Sequence, residues 1–149
     1  MTIRLSPELL RAIQAHGEHA YPEEGAGLIL GTVQPEDRTA VTLAPRPNNF
    51  QPDSRRRRYL ISPEDMLDAE DQAEGLGLDV IGVFHSHPDH PAQASEFDRE
   101  WAMPFYSYVI TSVSNARAVE SRCWRLDEGR GRMAEEALLV TTQAKTEEV

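Results

Sequence analysis

Cysteine is almost absent from this sequence, since Cys123 is the only one in 149 residues. A single cysteine excludes an intrachain disulfide framework, a four-cysteine zinc site and a redox CxxC pair. It also excludes the Pro-Cys-x-x-Cys ligand pattern of the zinc nucleobase deaminases. Because Cys123 lies beside Trp124 in a β-rich segment, we expect its thiol to be buried and inert.

Long hydrophobic runs are also missing. No stretch approaches the 18 consecutive apolar residues that a membrane-spanning helix needs. The first ten residues, MTIRLSPELL, lack the apolar segment of a secretory signal peptide. These two absences predict a cytoplasmic protein without a membrane partner.

Basic charge is scarce, because 15 Lys and Arg residues against 25 Asp and Glu give a formal net charge of −10. A general nucleic-acid-binding surface needs a surplus of positive charge, so we expect no nucleic-acid partner. The exception is the run Arg55–Arg58, which is the only dense basic patch. Two interpretations stay open for it: a solvated edge strand whose charges discourage aggregation, or a docking surface for an acidic partner.

The remaining composition is that of a globular domain, with 40% hydrophobic and 27% charged residues. We expect a single domain over residues 1–142 and a disordered tail over 143–149. Mixed helical and strand patterns predict an α/β or α+β sheet domain. The predicted helices begin near residues 7, 63 and 95; the predicted strands are 27–33, 39–45, 55–61, 79–87, 105–113 and 116–126, followed by a strand or helix from residue 133.

The strongest predicted strand, 79–87, ends in His85-Ser86-His87. Residues i and i+2 of a strand point to the same side, so the two imidazoles converge without any folding of a loop. Neutral imidazole is a common zinc ligand. The alternative is a pair of histidines that bond nearby carbonyls on a half-buried strand, and the His-x-His pattern alone does not decide between them.

A carboxylate follows at a suitable spacing, since Asp98 comes eleven residues after His87. Three protein ligands with an open fourth position are typical of a catalytic zinc site. Ser95-x-x-Asp98 is equally what a helix N-terminus favours, with Ser95 as the N-cap. The two interpretations are compatible, because a helix that begins beside the metal presents both side chains to it.

A zinc hydrolase also needs a base that takes a proton from the attacking water. Glu23 and Glu24 lie between Pro22 and the first predicted strand. Taken alone, an acidic pair at such a junction is typical of a solvated turn. The other histidines are weaker candidates for a functional role. His90 is interpreted as a loop residue in solvent, with contact to the site as the alternative. His16 and His19 are interpreted as surface residues.

Together, Glu24-x-x-Gly27, His85-Ser86-His87-Pro88 and Ser95-x-x-Asp98 resemble the JAMM motif of the MPN/Mov34 (MPN+) zinc metalloprotease family. The preceding YPEEGAGLILG resembles the N-terminal strand entry of the compact bacterial members. The resemblance implies an α/β fold of the MPN (cytidine-deaminase-like) type, in which helices flank a central mixed β-sheet. It also selects Glu24 over Glu23, since the family's glutamate lies three residues before the glycine.

The resemblance implies a role for each of these residues. His85, His87 and Asp98 would hold Zn²⁺, and Glu24 would be the general base and later the general acid for the leaving amine. Ser95 would donate a hydrogen bond to the developing oxyanion. No position of the motif departs from the family pattern, although many bacterial relatives have a cysteine near the position of Ala26.

The implied activity is hydrolysis of an amide or isopeptide bond by a zinc metallopeptidase. The short spacing between His87 and Asp98 resembles the compact bacterial members, so we expect a ubiquitin-like sulfur-carrier protein or a peptide as the substrate. The alternative is a non-catalytic MPN interaction scaffold, but such relatives lose metal ligands that this sequence retains. A DNA-associated role like that of the RadC group is disfavoured by the net charge of −10.

Overall fold

A computed structural model describes residues 1–127, 129 and 131–141 of the chain. The described residues form seven strands and three α-helices. Strands and helices alternate in the first half of the chain, and strands dominate the second half. The strands are β1 (Thr2–Leu5), β2 (Ala26–Val33), β3 (Asp37–Arg46), β4 (Asp79–Pro88), β5 (Ser107–Ser114), β6 (Arg117–Leu126) and β7 (Met133–Val140). The helices are α1 (Pro7–Ala20), α2 (Pro63–Gly75) and α3 (Glu96–Trp101).

The strands form one mixed sheet in the order β1-β3-β2-β4-β5-β6-β7. β4 pairs in parallel with β5, and β1 pairs in parallel with both β3 and β7, so the sheet closes on itself. The predicted α/β fold with a mixed sheet is confirmed. The closing strand β1 was not predicted, because four residues with two buried side chains carry too short an alternation to identify a strand.

Helix α1 lies against the inner side of the closed sheet. Ser6 caps it by accepting a hydrogen bond from the backbone N–H of Leu9, and Pro7 occupies its first turn. Its buried residue Ile13 joins a core with side chains from β1, β2, β4, β5 and β6. The prediction that His16 lies at the surface is wrong, because this face of the helix packs its imidazole edge-on against Phe84 at 5.4 Å.

Helix α2 packs on a second hydrophobic core. Its N-cap is Ser62, whose hydroxyl accepts a hydrogen bond from the N–H of Asp65. Ala69 and Ala73 are its buried residues. Leu67 of the same helix is 60% exposed. Residues 69 and 73 lie four apart on one face, whereas Leu67 lies about 140° around the helix from the centre of that face.

The predicted strand over residues 55–61 is wrong. A 3-10 helix (Pro52–Ser54) and a turn occupy the start of this segment, in which the N–H groups of Arg57 and Arg58 both donate to the carbonyl of Ser54. Because β2 already pairs with β3 and β4, and the sheet closes through β1, no free edge is left beside these residues. Backbone groups that have no strand partner then bond within the turn.

The segment from residue 133 forms the strand β7, which settles the open choice between a strand and a helix. The prediction of a disordered tail concerns residues 143–149, which lie outside the described residues. No helix among the described residues is long and apolar enough to cross a membrane.

Candidate metal centre

The two histidines of the His-x-His pattern lie at the carboxyl end of β4. His85 pairs with Ile110 and His87 with Ser112 of the parallel strand β5, so both backbones are fixed by the ladder. The side chains share one face of the sheet, as their spacing predicts. Ser86 points to the opposite face, where its hydroxyl accepts a hydrogen bond from the N–H of Gly25 at 2.8 Å.

Glu24 reaches the same place through the antiparallel pairing of β2 with β4. Ala26 pairs with His85, and continuing this register by two residues places Glu24 beside His87. The side chain of Glu24 is 5% exposed, and its Oε1 lies 3.4 Å from Nδ1 of His85. Gly27 has a packing reason of its own, because a Cβ there would come within 2.4 Å of the Phe84 ring.

Helix α3 brings Ser95 and Asp98 to the histidines. Its first turn is a capping box: Ser95 Oγ accepts from the N–H of Asp98, and Asp98 Oδ2 accepts from the N–H of Ser95. The N-cap role of Ser95 and the position of Asp98 beside the histidines therefore both follow from one structural feature, the capping box of α3. Asp98 is buried, whereas Ser95 is exposed.

The three predicted metal ligands converge in the structure. One ligand atom from each of His85, His87 and Asp98 lies within 4.8 Å of the others. Asp98 contacts both rings, with Oδ1 at 3.3 Å from Nε2 of His85 and Oδ2 at 3.1 Å from Nε2 of His87. Neither ring nitrogen of the buried His85 has a hydrogen-bond partner among the described residues. Buried polar atoms are normally satisfied, so Nε2, which faces Asp98, points to a ligand.

The environment favours the charged form of the carboxylate. Burial acts to raise the pKa of Asp98, but the nearby His85 and the hydrogen bond with His87 outweigh it and hold that pKa well below the usual range. Burial likewise acts to lower the pKa of His87, and the hydrogen bond and charge of Asp98 raise it above the usual value. Each of the two side chains therefore favours the charged form of the other.

The orientation of His87 is set by a backbone carbonyl. Its Nδ1 lies 2.9 Å from the oxygen of Pro91. A carbonyl only accepts, so Nδ1 carries the hydrogen and donates, which directs Nε2 of the neutral ring toward Asp98. Metal-binding histidines commonly have such a partner on their other nitrogen, because it fixes both tautomer and ring orientation.

A surface cavity of about 370 Å³ opens beside these residues. Glu24, His87 and Ser95 lie together in its wall. His90 is exposed, as expected for a loop residue, and it also lies in this wall. Its position therefore fits both interpretations, a residue in solvent and a residue in contact with the site. The complete lining is Glu24, Arg57, His87, His90, Pro91, Gln93, Ala94 and Ser95.

Two further residues, which no sequence motif indicated, support the site. The ring of Tyr59 stacks on the imidazole of His85 with the ring centroids 4.3 Å apart. Asn48 donates from its amide to the carbonyl oxygens of Glu24 and Arg58, at 2.9 and 3.0 Å. Only a polar Asn-Asn pair within a proline-rich loop signalled Asn48, and no sequence pattern connects either residue to the histidines.

The chain is similar to known proteins over most of its length. The sequence model of the family described as prokaryotic homologs of the JAB domain matches residues 6–127. A Thermus thermophilus protein named probable TtuB-protein conjugate cleaving protease is 34% identical over 113 residues, which cover 74% of this chain and 70% of the relative. A Haloferax volcanii protein named desampylase is 32% identical over 110 residues, which cover 73% of this chain and 75% of the relative.

Solved structures agree with the sequence relatives. A Desulfitobacterium hafniense protein superposes with a TM-score of 0.81 at 27% identity, over 93% of this chain and 92% of that protein. A Salinibacter ruber protein gives 0.73 at 38% identity, with the same two coverages. A JAB1/MPN domain protein from Archaeoglobus fulgidus gives 0.55 at 20% identity, over 93% of this chain and 99% of that protein, and shows the fold alone.

These similarities agree with the resemblance that the motif indicated. The relatives are named as a protease and a desampylase, which confirms the predicted hydrolase class. The family match spans every position of the predicted motif, from Glu24 to Asp98. The chain therefore belongs to the prokaryotic homologues of the JAB domain, a branch of the JAMM/MPN family.

Proposed function

We propose that this chain is a zinc-dependent isopeptidase that hydrolyses an amide bond at the C-terminal tail of a ubiquitin-like protein. One observation carries the proposal: Glu24 and Ser95 line the same cavity as His87, directly beside the buried His85 and Asp98. The names of the Thermus and Haloferax relatives support an activity on protein conjugates.

The three converging side chains fit zinc. Two imidazoles and one carboxylate are ligands that a catalytic zinc site uses, and Nε2 of buried His85 faces Asp98 without a hydrogen-bond partner among the described residues. We assign His85, His87 and Asp98 as the residues that hold it. When bound, zinc supplies a Lewis acid that makes water more acidic and polarises a carbonyl group.

Glu24 is the proposed general base. Its carboxylate is buried at the cavity wall and accepts a proton from the attacking water, then returns that proton to the leaving amine. Its backbone is held from two sides, because its N–H donates to the carbonyl of Arg55 and its carbonyl accepts from Asn48. A base with a fixed backbone is pre-positioned for both transfers.

Ser95 is the proposed oxyanion donor. Its Oγ uses a lone pair to accept from the N–H of Asp98, which leaves its hydroxyl hydrogen free to donate into the cavity. That hydrogen bond would strengthen as negative charge develops on the carbonyl oxygen of the substrate.

The finer choice of substrate is a ubiquitin-like sulfur-carrier protein, or a peptide derived from one. It rests on the resemblance of the short His87-to-Asp98 spacing to the compact bacterial members and on the conjugate-cleaving relatives. On the family resemblance, an extended tail is the segment that enters the cavity.

The test compares wild type with His87→Ala and Glu24→Gln. Bound zinc is measured by elemental analysis, and hydrolysis is measured on a ubiquitin-like carrier that has an extended C-terminal tail. His87→Ala is expected to lose both zinc and activity, because it removes a ligand. Glu24→Gln is expected to keep zinc and to lose turnover by about 100-fold or more, because the amide does not accept the proton.

Two matched controls use neighbouring or equivalent residues outside the proposed roles. Glu23→Gln and His19→Ala are each expected to keep zinc and turnover. Full zinc occupancy in His87→Ala would contradict the ligand assignment, and normal turnover by Glu24→Gln would remove the proposed base. Cleavage of short peptides without cleavage of the carrier tail would contradict the proposed substrate but would agree with the proposed reaction class.

A further inference from the structure

Four consecutive arginines, Arg55–Arg58, form a turn at the mouth of the cavity, and we call this segment the arginine loop. Arg57 lies in the cavity wall together with Glu24 and Ser95. The side chains of Arg56, Arg57 and Arg58 are exposed. A chain of net charge −10 therefore places its densest positive charge at the entrance to its candidate active site.

Most of the other arginines have carboxylate partners. Arg4 pairs with Asp37 at 2.9 Å, and Arg46 pairs with Asp68 at 2.9 Å. Within the described part of the chain, no residue of the arginine loop lies within 4.0 Å of a carboxylate oxygen. The loop's positive charge is not neutralised inside the fold.

The individual arginines differ in what they contact. Arg55 donates from Nε to the carbonyl of Phe50 at 2.7 Å, and the guanidinium of Arg58 lies 5.3 Å from the ring centroid of Phe97. Arg56 is near enough to Asp89 to act on that carboxylate through charge alone. Among the described residues, the Arg57 side chain has no hydrogen bond, ring contact or charged partner, so its guanidinium is the one that remains available at the cavity.

The backbone of the arginine loop is joined to the backbone of Glu24. The carbonyl of Arg55 accepts from the N–H of Glu24 at 2.7 Å, and the Asn48 amide bridges the carbonyls of Glu24 and Arg58. Oδ1 of Asn48 also accepts from the N–H of Leu60 at 3.2 Å. The backbone that carries the cations is therefore held beside the backbone of the proposed base, which suits recognition of a substrate near its scissile bond.

We propose that the arginine loop binds acidic side chains of the substrate segment next to the scissile bond, with Arg57 as the central contact. This inference rests on the proposed peptidase function, because it assigns a preference to the same cavity. Opposite charges across a binding surface raise the association rate and select partners. Exposed pairs contribute modestly, so three acidic residues favour binding by about tenfold rather than by many orders of magnitude.

The geometry favours an acidic peptide over a nucleic acid. Neutralising a phosphate backbone takes a broad basic surface with many contacts. Here the positive charge is confined to one turn of a strongly acidic chain. The ligand that matches it is a short acidic segment inside an otherwise neutral tail.

The test measures binding directly, so that it does not depend on turnover. Two fluorescein-labelled peptides of equal length are titrated with the zinc-loaded full chain, one with three Asp or Glu residues and one with the matching Asn or Gln residues. Anisotropy is expected to give about tenfold tighter binding of the acidic peptide at low salt. The difference should shrink to less than about twofold at roughly 0.5 M salt, where charges are screened within a few ångströms.

Arg57→Gln is expected to reduce the preference for the acidic peptide at least about threefold, and Arg57→Glu is expected to reduce it further, to less than about twofold. The matched control is Arg11→Gln on α1, which removes an arginine that already pairs with Glu18 at 2.8 Å. This control should keep the full preference.

Equal binding of the two peptides by wild type would overturn the inference, as would an unchanged preference in Arg57→Glu. A single-stranded oligonucleotide that binds as tightly as the acidic peptide would also overturn it. Failure of the proposed function looks different: the acidic peptide binds with the expected preference, but no peptide or carrier tail is hydrolysed by the zinc-loaded chain.

Discussion

Two buried polar clusters lie on the same sheet, and they differ in how far their members satisfy one another. The inner cluster surrounds Arg38, which donates to the carbonyl of Ile81 at 2.8 Å. Glu136 accepts from Ser107 at 2.9 Å and from Arg125 at 3.3 Å. The metal centre begins four residues after Ile81 on β4 and contains His85, whose two ring nitrogens have no hydrogen-bond partner among the described residues.

The difference separates a structural cluster from a binding site. In the inner cluster Glu136 receives several donors, and the guanidinium of Arg38 lies over the Phe105 ring at 4.4 Å. The Nε atoms of Arg38 and Arg125 lack partners, but both side chains donate through other nitrogens. At the candidate metal centre Nε2 of His85 instead faces Asp98 without a hydrogen-bond partner in the described part of the chain, within a group of three potential ligands beside a cavity. Burial of polar groups therefore indicates a ligand only where the groups leave one another unsatisfied.

The largest effect is expected from Glu136→Ala. Removing this carboxylate leaves the buried Arg38 and the partly buried Arg125 with uncompensated positive charge, which costs about 3–5 kcal/mol of unfolding free energy. Thermal unfolding should show a midpoint roughly 10 °C lower than that of wild type. The control is Glu135→Ala, which removes an exposed neighbour on the opposite face of β7 that pairs with Arg122 at 3.6 Å. Equal loss in both variants would show that the inner cluster has no special structural role.

A smaller effect is expected at the metal centre, and it depends on zinc. At about 100-fold excess of free zinc over its Kd, binding stabilises wild type by about 2.7 kcal/mol. Asp98→Ala should abolish this gain, whereas Glu136→Ala should keep it despite its lower stability. The exposed Asp71→Ala on α2 is the control and should keep the gain. Calorimetry with zinc and with chelator checks all four proteins, and a zinc gain that survives in Asp98→Ala would remove this residue from the ligand set.

The smallest effect is expected from Asn48→Ala, which loosens the backbone around Glu24 without touching a metal ligand. We expect turnover to fall about tenfold, equivalent to about 1.4 kcal/mol in the barrier, with unchanged zinc content and little change in KM. Asn49→Ala is the matched neighbour, because its exposed amide donates only to Asp65 at 3.1 Å. Loss of zinc in Asn48→Ala, or equal turnover in the two variants, would show that Asn48 does not position the base.

The features that could be predicted from the sequence are those that depend on local spacing. The caps Ser6, Ser62 and Ser95 predict the starts of all three helices, since N-capping involves residues three apart. The pattern His85-Ser86-His87 predicts a shared face, because the strand period is two. The arginine loop shows the limit: a run of arginines reads as an edge strand, but whether an edge is free depends on how the whole sheet closes.

By itself the sequence determined the chemical inventory of the candidate site and its family, since ligand types and motif spacing are properties of the linear chain. Only the tertiary structure decided the rest. It set Glu24 beside His87 through the register of β2 with β4, and it placed Tyr59 on His85 and Arg57 at the cavity. These contacts join residues that are far apart in the chain, and no local periodicity encodes them, because strand pairing and packing choose the neighbours.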